Sequence, residues 1–134
     1  MDHTTTDVVD TESISRLGWV AVGLVFVTGV LHIYAGIVEG RIPVSLAGLG
    51  FLAAIVLFVV NYRRPLLYLV GILYTAVQIP LWYVANAGAF TTLGYADKAV
   101  QVVLVVLLAV LYWRTRAENS RVGQAAVGQP EEAP

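Results

Sequence analysis

The segment Val102–Leu111, which reads VVLVVLLAVL, places ten apolar side chains in a row. Extended in both directions, the apolar stretch runs from about Leu93 to Trp113, with Asp97 and Lys98 near its start. A helix needs about 20 mostly apolar residues to cross a bilayer. The sequence therefore predicts a membrane-spanning helix over residues 93–113.

Three more segments of the chain have the same character, at about residues 17–38, 44–60 and 66–84. The third follows Pro65, a residue type that suits the first turn of a helix. Valine is abundant throughout, and in water that composition would favour strands. In lipid the backbone must satisfy its own hydrogen bonds, and these segments lack the alternating pattern of a membrane barrel. We therefore predict four membrane-spanning α-helices.

The composition excludes several classes of protein. The 134 residues are 58% hydrophobic and 13% charged, with a net charge of -1, and the mean hydropathy is +0.77. Soluble domains carry about 25% charged residues, so a soluble enzyme, a nucleic-acid binder and a disordered chain are all excluded. The chain has no cysteine, which rules out disulfides, thiolate metal sites and a cysteine nucleophile.

Short connections at 39–43, 61–64 and 85–92 join the four segments, as between neighbouring antiparallel helices. The predicted fold class is all-α, a polytopic up-down-up-down four-helix bundle with both termini on one side. The other side carries only Arg41 and Lys98. By the positive-inside rule we expect cytoplasmic termini and a multi-pass protein of the plasma membrane. The side of the termini carries Arg16, Arg63, Arg64, Arg114, Arg116 and Arg121.

The two ends of the chain have a different composition. Residues 1–13 are acidic and rich in threonine, and residues 117–134 are rich in Gln, Glu, Ala and Gly. Neither end can bury a hydrophobic core, so we expect two disordered tails around a membrane domain of residues 14–116. The N-terminus also lacks the basic region of a signal peptide, so the first span is expected to remain in the protein.

Polar side chains inside the predicted spans gather at one depth. On spans one, three and four they lie about 3 to 7 Å outward of the middle of the helix, or one turn from such a position. Ionisable and amide groups inside a membrane are costly, so each needs a partner or a function. The candidate ligand-binding residues are His32, Thr28, Tyr74, Gln78, Asp97 and Gln101.

Two interpretations of this polar layer remain open. Its side chains can hydrogen-bond between helices and fix their packing. Alternatively, they can line a small cavity that opens to the outside and binds a ligand or takes up a proton at His32. Glu39, Asp97 and Lys98 would stand at the mouth of such a cavity. The Asp97–Lys98 pair is itself typical of an interfacial anchor near a helix start, and Glu39 is typical of a solvated turn.

Several chemistries lack the residues that they need. A bis-histidine haem needs two histidines in the membrane, whereas His3 is in the tail, and Met1 is the only methionine. Carboxylates that could join His32 in a metal site are expected only at the membrane surface. A phosphate loop, a nucleophile elbow and an HExxH motif are also absent. We expect no cofactor, no metal site and no catalytic residue.

Four stretches of the sequence resemble small four-span membrane proteins of halophilic archaea, a group of unknown function. The resemblance covers about residues 17–113 and implies an uncharacterised protein of the plasma membrane, with the polar layer inside the matching segments. One lysine against seven arginines suits a high-salt organism. The general architecture is more distantly similar to DoxX-type four-helix membrane proteins, which are associated with redox partners. The four stretches are GVLHIYAG at 29–36, LAGLGFL at 46–52, LYTAVQI at 73–79 and GYADKAVQ at 94–101.

Function is less constrained than fold. The leading hypothesis is a non-enzymatic accessory or scaffold subunit, with the lipid bilayer, further copies of itself or a larger membrane complex as partners, and no nucleic acid. The alternative is a component that binds or transports a small solute or lipophilic cofactor around His32. An enzyme ranks third, because it would need Glu39 or Asp97 to reach His32. The scaffold hypothesis depends on small residues four positions apart: Gly36 and Gly40, Gly50 and Ala54, Gly71 and Thr75.

Overall fold

The computed structural model describes residues 9–128. Within this range the chain is all-α, without a strand, and the prediction of four apolar helices is confirmed. Each helix is long and apolar enough to cross a membrane, which is the pattern of a multi-pass membrane protein. The helices are α1 (Arg16–Val38), α2 (Ile42–Val59), α3 (Arg64–Ala85) and α4 (Thr92–Val127).

Local chemistry explains where the helices begin. The side-chain oxygens of Ser15 and Thr91 each accept a hydrogen bond from the backbone N–H three residues further on, at 3.1 and 3.0 Å. These bonds satisfy N–H groups that have no partner inside α1 and α4. Proline occupies the first turn of the other two helices, where its missing N–H costs nothing. Pro65 was expected there, whereas Pro43 was expected in the connection and lies inside α2.

The fourth helix is much longer than the sequence suggests. It has 36 residues and continues to Val127, whereas the sequence predicts a disordered tail from Ala117. Residues 129–134 lie outside the described range. From Arg116 to Gly128 every side chain is exposed. The helix therefore ends in about three turns that touch nothing else in the described part of the chain.

The expected N-terminal tail is also ordered in part, although residues 1–8 lie outside the described range. Asp10 donates its backbone N–H to the carbonyl of Val59 at 3.0 Å. Arg64 donates to the hydroxyl of Ser13 at 2.5 Å and to the carbonyl of Asp10 at 2.7 Å. The same guanidinium donates from Nε to the carbonyl of Phe58 at 3.0 Å. Residues 9–15 are therefore held against the connection between α2 and α3.

Helices α1 and α2 are in close backbone contact at Gly29 and Gly48, and Gly36 of α1 also lies against Ser45 of α2. A Cβ atom on Gly48 would lie 2.6 Å from the carbonyl oxygen of Gly29 and 2.9 Å from the backbone nitrogen of Ile33. Only glycine permits this backbone contact. The sequence-level pairs Gly36–Gly40 and Gly50–Ala54 did not include this crossing. Gly40 has a φ of +66°, which places it in the turn after α1 rather than in a helix contact.

The packing is uneven between helix pairs. Helix α1 packs on α2 and α4, and α3 packs on α4, whereas α2 and α3 meet least. Apolar side chains form the core around Leu104, which is fully buried. A cavity of about 300 Å³ adjoins this core where α2 and α3 part; residues of α1 and α4 also line it, and the lining is almost entirely apolar. We call it the α2–α3 groove. The core side chains are Ile14, Ala21, Phe51, Phe58, Tyr68, Leu104, Leu108 and Leu111.

Candidate functional site

A cluster of polar side chains joins α1 to α4. Each helix presents these residues on one face, because side chains three or four positions apart lie above one another. All are nearly or completely buried, with exposed fractions of 8% or less. Burial at this level is rare for Asp and Lys unless they are paired. The polar cluster consists of Thr28 and His32 on α1 and of Asp97, Lys98 and Gln101 on α4.

Thr28 connects the two helices at the centre of the polar cluster. Its hydroxyl donates to Oδ1 of Asp97 at 2.6 Å, a distance typical of a hydrogen bond to a carboxylate. The same oxygen accepts a weaker bond from Nε2 of Gln101 at 3.4 Å. Thr28 is fully buried, so both of its hydrogen-bonding functions are used inside the protein.

His32 is held in one tautomer by its backbone contact. Its Nδ1 lies 2.8 Å from the carbonyl oxygen of Thr28, one turn earlier. A carbonyl can only accept, so Nδ1 carries the proton and Nε2 of a neutral ring is an acceptor. Nδ1 also lies 3.6 Å from Oδ2 of Asp97, too far for a hydrogen bond. Within residues 9–128, Nε2 makes no hydrogen bond.

Lys98 lies inside the polar cluster and is buried. Its Nζ donates to Oδ2 of Asp97 and to Oε1 of Gln101, each at 3.0 Å. The ammonium also stands 5.7 Å from the centre of the Trp82 ring, within range of a cation–π interaction. Both side chains of the pair that the sequence indicated as an interfacial anchor are thus buried and partnered inside the protein.

The remaining predicted residues divide into one that joins the polar cluster and one that does not. Gln78 accepts a hydrogen bond from Gln101 at 3.3 Å, so α3 is linked to the network. The Tyr74 hydroxyl donates instead to the carbonyl of Ala47 on α2, at 2.8 Å. Tyr74 lies one turn from Gln78 as expected, but its side chain points to a different neighbour.

Two residues of the site were missed by the sequence interpretation as ligand-binding candidates. Lys98 precedes Gln101 by three positions, a spacing that places both on one helix face and could have identified it. Trp82 lies one turn after Gln78 on α3, and its position against Lys98 follows from the packing of α3 on α4. No pattern in the sequence indicates that contact.

A cavity of about 70 Å³ adjoins the polar cluster. Arg41 and Asn86 bridge the connections α1–α2 and α3–α4 beside it, through a hydrogen bond of 3.2 Å. Arg41 also pairs with Glu39 at 3.4 Å. The expected carboxylate at the mouth is thus present. The polar residues that line the cavity are His32, Glu39, Arg41, Trp82, Asn86, Thr91, Asp97 and Lys98.

The charges around this cavity cancel. Glu39 and Asp97 supply two negative charges, and Arg41 and Lys98 supply two positive charges. Among residues 9–128, no group of three or more His, Asp or Glu side chains is arranged to hold a metal ion. The arrangement can therefore offer donors and acceptors to a polar molecule, with no excess of either charge.

Comparison with known proteins gives a family but no activity. Residues 3–112 match the model of a family of unknown function, DUF7475. The chain belongs to this family. The match includes the whole polar cluster and ends at Tyr112, so the exposed last turns of α4 lie outside it. No curated protein and no solved structure matches the chain.

Proposed function

We propose that this DUF7475 protein is a non-enzymatic membrane protein that binds a small polar solute in the cavity beside His32. One observation carries the proposal: Nδ1 of His32 is committed to the carbonyl of Thr28, while Nε2 has no partner in the described residues and the ring lines the cavity. A neutral ring of this kind accepts a hydrogen bond from a hydroxyl, an ammonium group or water.

The balanced charges indicate the class of solute. A ligand with a net charge would add an unmatched charge to a site in which the Glu39–Arg41 and Asp97–Lys98 pairs already balance. An uncharged polyhydroxyl compound or a zwitterion meets both kinds of group without that imbalance. The size of the cavity, about 70 Å³, restricts the ligand to a few heavy atoms.

Binding explains the polar cluster better than packing alone. Replacing a buried ion pair by apolar side chains often leaves a protein equally or more stable, so stability does not require Asp97 and Lys98 here. Intramembrane ionisable residues usually mark a functional site. This argument places the solute-binding alternative ahead of the scaffold hypothesis that the sequence favoured.

An enzyme remains the third possibility. Asp97 does reach within 3.6 Å of His32, which was the condition for it. However, the carboxylate already accepts from Thr28 and Lys98, and the cluster supplies no nucleophile activated by a base. We therefore propose that the cavity binds its solute without converting it.

The binding test compares small probes of different net charge. Replacing Trp19 and Trp113, both exposed, by Phe leaves Trp82 as the only tryptophan and a reporter beside the cavity. We expect glycine or glycerol to change its fluorescence, and acetate and methylammonium to have no effect at equal concentration. Affinity should fall at least about tenfold in His32→Asn, the loss of one hydrogen bond to a ligand.

His32→Asn is chosen because its side-chain amide can still donate from the position of Nδ1, while the acceptor at Nε2 is lost. The matched control is Tyr74→Phe, which removes a hydroxyl from the same layer but outside the polar cluster. Native mass spectrometry of the protein extracted in mild detergent provides the second readout, a small-mass adduct lost only in His32→Asn. Equal binding in both variants, or no response to any probe, contradicts the proposal.

We further propose that the helices form an up-down-up-down bundle in the plasma membrane, with both termini in the cytoplasm and the cavity outside. Contacts such as Gly29 with Gly48 and Gln78 with Gln101 support the antiparallel order, and the arginine distribution supports the orientation. Because the chain has no cysteine, single cysteines at Ala87 and Asn119 can be labelled from one side. Impermeant reagent outside the cell should label only Ala87→Cys.

A halophilic archaeal source also remains a proposal, supported by the arginine-rich, lysine-poor composition. The distant likeness to DoxX-type proteins stays a prediction of the sequence.

The second candidate function is an accessory or scaffold subunit, and the end of α4 favours it. Isolated short helices are marginal in water, so the exposed turns after Arg116 gain from a partner. Val122 is 69% exposed there. If this end assembles with another chain, Val122→Asp should reduce the mass of the extracted complex. Ser120→Asp adds the same charge on the opposite face and should not.

A further inference from the structure

The α2–α3 groove has the shape of a site for a hydrocarbon chain. Its volume is about 300 Å³, and it lies between two helices that are long and apolar enough to cross a membrane. Leu57 and Val70 line it and are also exposed, so the groove is open toward the surroundings of the helices. Its wall includes Gly50, Ala54 and Phe58 of α2 and Leu67, Gly71 and Tyr74 of α3, and residues of α1 and α4 complete it.

Small residues keep the groove open. On α2, Gly50 and Ala54 lie four positions apart and present almost no side-chain volume. Gly71 of α3 also lines the groove, and a Cβ atom there would lie 3.0 Å from Leu108 of α4. The Tyr74 ring marks one limit of the groove, because a Cβ atom on Gly50 would collide with its hydroxyl. Close helix packing is therefore replaced here by a space that is lined with methyl and methylene groups.

The other end of the groove lies beside a basic connection. Phe58 and Leu67 line the groove on either side of the turn between α2 and α3, and this turn contains Arg63 and Arg64. Arg64 is occupied by Ser13 and by the carbonyls of Asp10 and Phe58. Arg63 is exposed, lies one turn before Leu67, and forms no ion pair within residues 9–128.

We propose that the α2–α3 groove binds one acyl chain of an anionic phospholipid, with the lipid phosphate at Arg63. The apolar lining provides the place for the chain, and a guanidinium is suited to bind a phosphate at the membrane surface. A helix from a second copy of the protein is a poorer fit. Such a helix is about 10–12 Å wide with its side chains, whereas a cavity of about 300 Å³ has room for a single acyl chain.

This site is separate from the cavity beside His32. No residue of the polar cluster lines the groove. The groove and the cavity beside His32 have no lining residue in common. The lipid proposal therefore stands or fails independently of solute binding.

The test uses the full chain in detergent supplemented with equal amounts of phosphatidylglycerol or phosphatidylcholine that carry the same acyl chains. Retained lipid is counted by native mass spectrometry. We expect one lipid per chain to survive, with phosphatidylglycerol retained about fivefold more than phosphatidylcholine, the factor that one basic side chain contributes near an anionic surface.

Two variants separate the contributions of the acyl chain and of the phosphate to lipid retention. Ala54→Phe fills the groove and should remove retention of both lipids, whereas Val103→Phe adds bulk on the exposed face of α4 and should leave retention unchanged. Arg63→Gln should lower phosphatidylglycerol to the level of phosphatidylcholine. Arg114→Gln removes an arginine away from the groove and should have no effect.

Three outcomes would overturn the proposal. The first is equal retention of the two lipids by the unaltered chain. The second is retention that persists in Ala54→Phe while its thermal unfolding matches that of Val103→Phe. The third is a homodimer that forms in place of the lipid complex and is abolished by Ala54→Phe. If Ala54→Phe fails to fold, Ala54→Leu and the Arg63→Gln comparison still decide the question.

Discussion

The hydroxyl of Thr28 on α1 donates to the carboxylate of Asp97 on α4 across 2.6 Å. The two residues are separated by 69 positions in the chain, and no water-exposed surface is left on Thr28. This bond links α1 to α4, whereas the ion pair of the same carboxylate with Lys98 lies within α4. Its consequences can be measured.

The first prediction concerns two buried threonines of equal size. Thr28→Val leaves Oδ1 of the buried Asp97 carboxylate without a donor and removes one of the two acceptors of Gln101 Nε2, so the free energy of unfolding should fall by about 1–3 kcal/mol. Thr75 is equally buried, but its hydroxyl has no hydrogen-bond partner. Thr75→Val should therefore be neutral or slightly stabilising. Reversible unfolding in mixed micelles measures both, and equal losses would contradict the assigned bonds.

The second prediction concerns the buried ion pair. Asp97→Asn leaves the Lys98 ammonium buried beside a neutral amide, and the free energy of unfolding should fall by about 3–5 kcal/mol. The double variant Asp97→Asn with Lys98→Met removes both charges, so it should be more stable than the single variant. A double-mutant cycle gives the coupling between the two residues. Additive losses would show that the pair contributes no coupling.

The third prediction concerns the crossing of α1 and α2. Gly48→Ala places a methyl group against backbone atoms of Gly29 and Ile33, so the helices must separate and stability should fall by about 1–3 kcal/mol. Gly23→Ala is the control, because a Cβ atom there meets nothing within 4 Å. Its effect should be below about 1 kcal/mol. The same unfolding measurement distinguishes them.

The fourth prediction concerns the N-terminal segment. Arg64→Lys keeps the positive charge but loses the planar guanidinium group, whose three nitrogens bond to Ser13, Asp10 and Phe58 at the same time. Exchange of the Asp10 amide hydrogen should accelerate about tenfold, the effect of one lost bond to a charged group. Arg63→Lys changes a neighbouring arginine without these bonds and should leave the exchange rate unchanged. Hydrogen–deuterium exchange resolves the two cases.

Hydropathy was sufficient to locate the helices because the membrane imposes their length. The start of each helix lies within two residues of the predicted span, and Pro65 and Ser15 stand where helix starts require them. The end of α4 was not predictable from the same argument. Its polar residues after Ala117 suggested disorder, but Ala, Glu, Gln and Arg all favour helix, and extending a helix costs far less than starting one.

The sequence indicated which residues form the polar layer but not which of them bond to each other. His32, Asp97 and Gln101 were singled out because polar groups in a membrane are few. Lys98 was placed at the surface because a long cation near a helix start usually reaches the headgroups. Its burial depends on Trp82, which faces it from α3, and on Gln101, one turn further along α4. Such contacts between distant segments, like those of Arg64 with residues 10 and 13, require the fold itself.

Helix α4 carries the polar cluster near its beginning and the exposed residues beyond Arg116 at its end. Asp97 and Val122 are about 37 Å apart along one continuous helix without a proline. A straight helix that is tilted at one end moves as a rigid body. Under the proposed solute binding, a tilt of α4 at Asp97 would therefore move Val122 sideways at the other end of the helix.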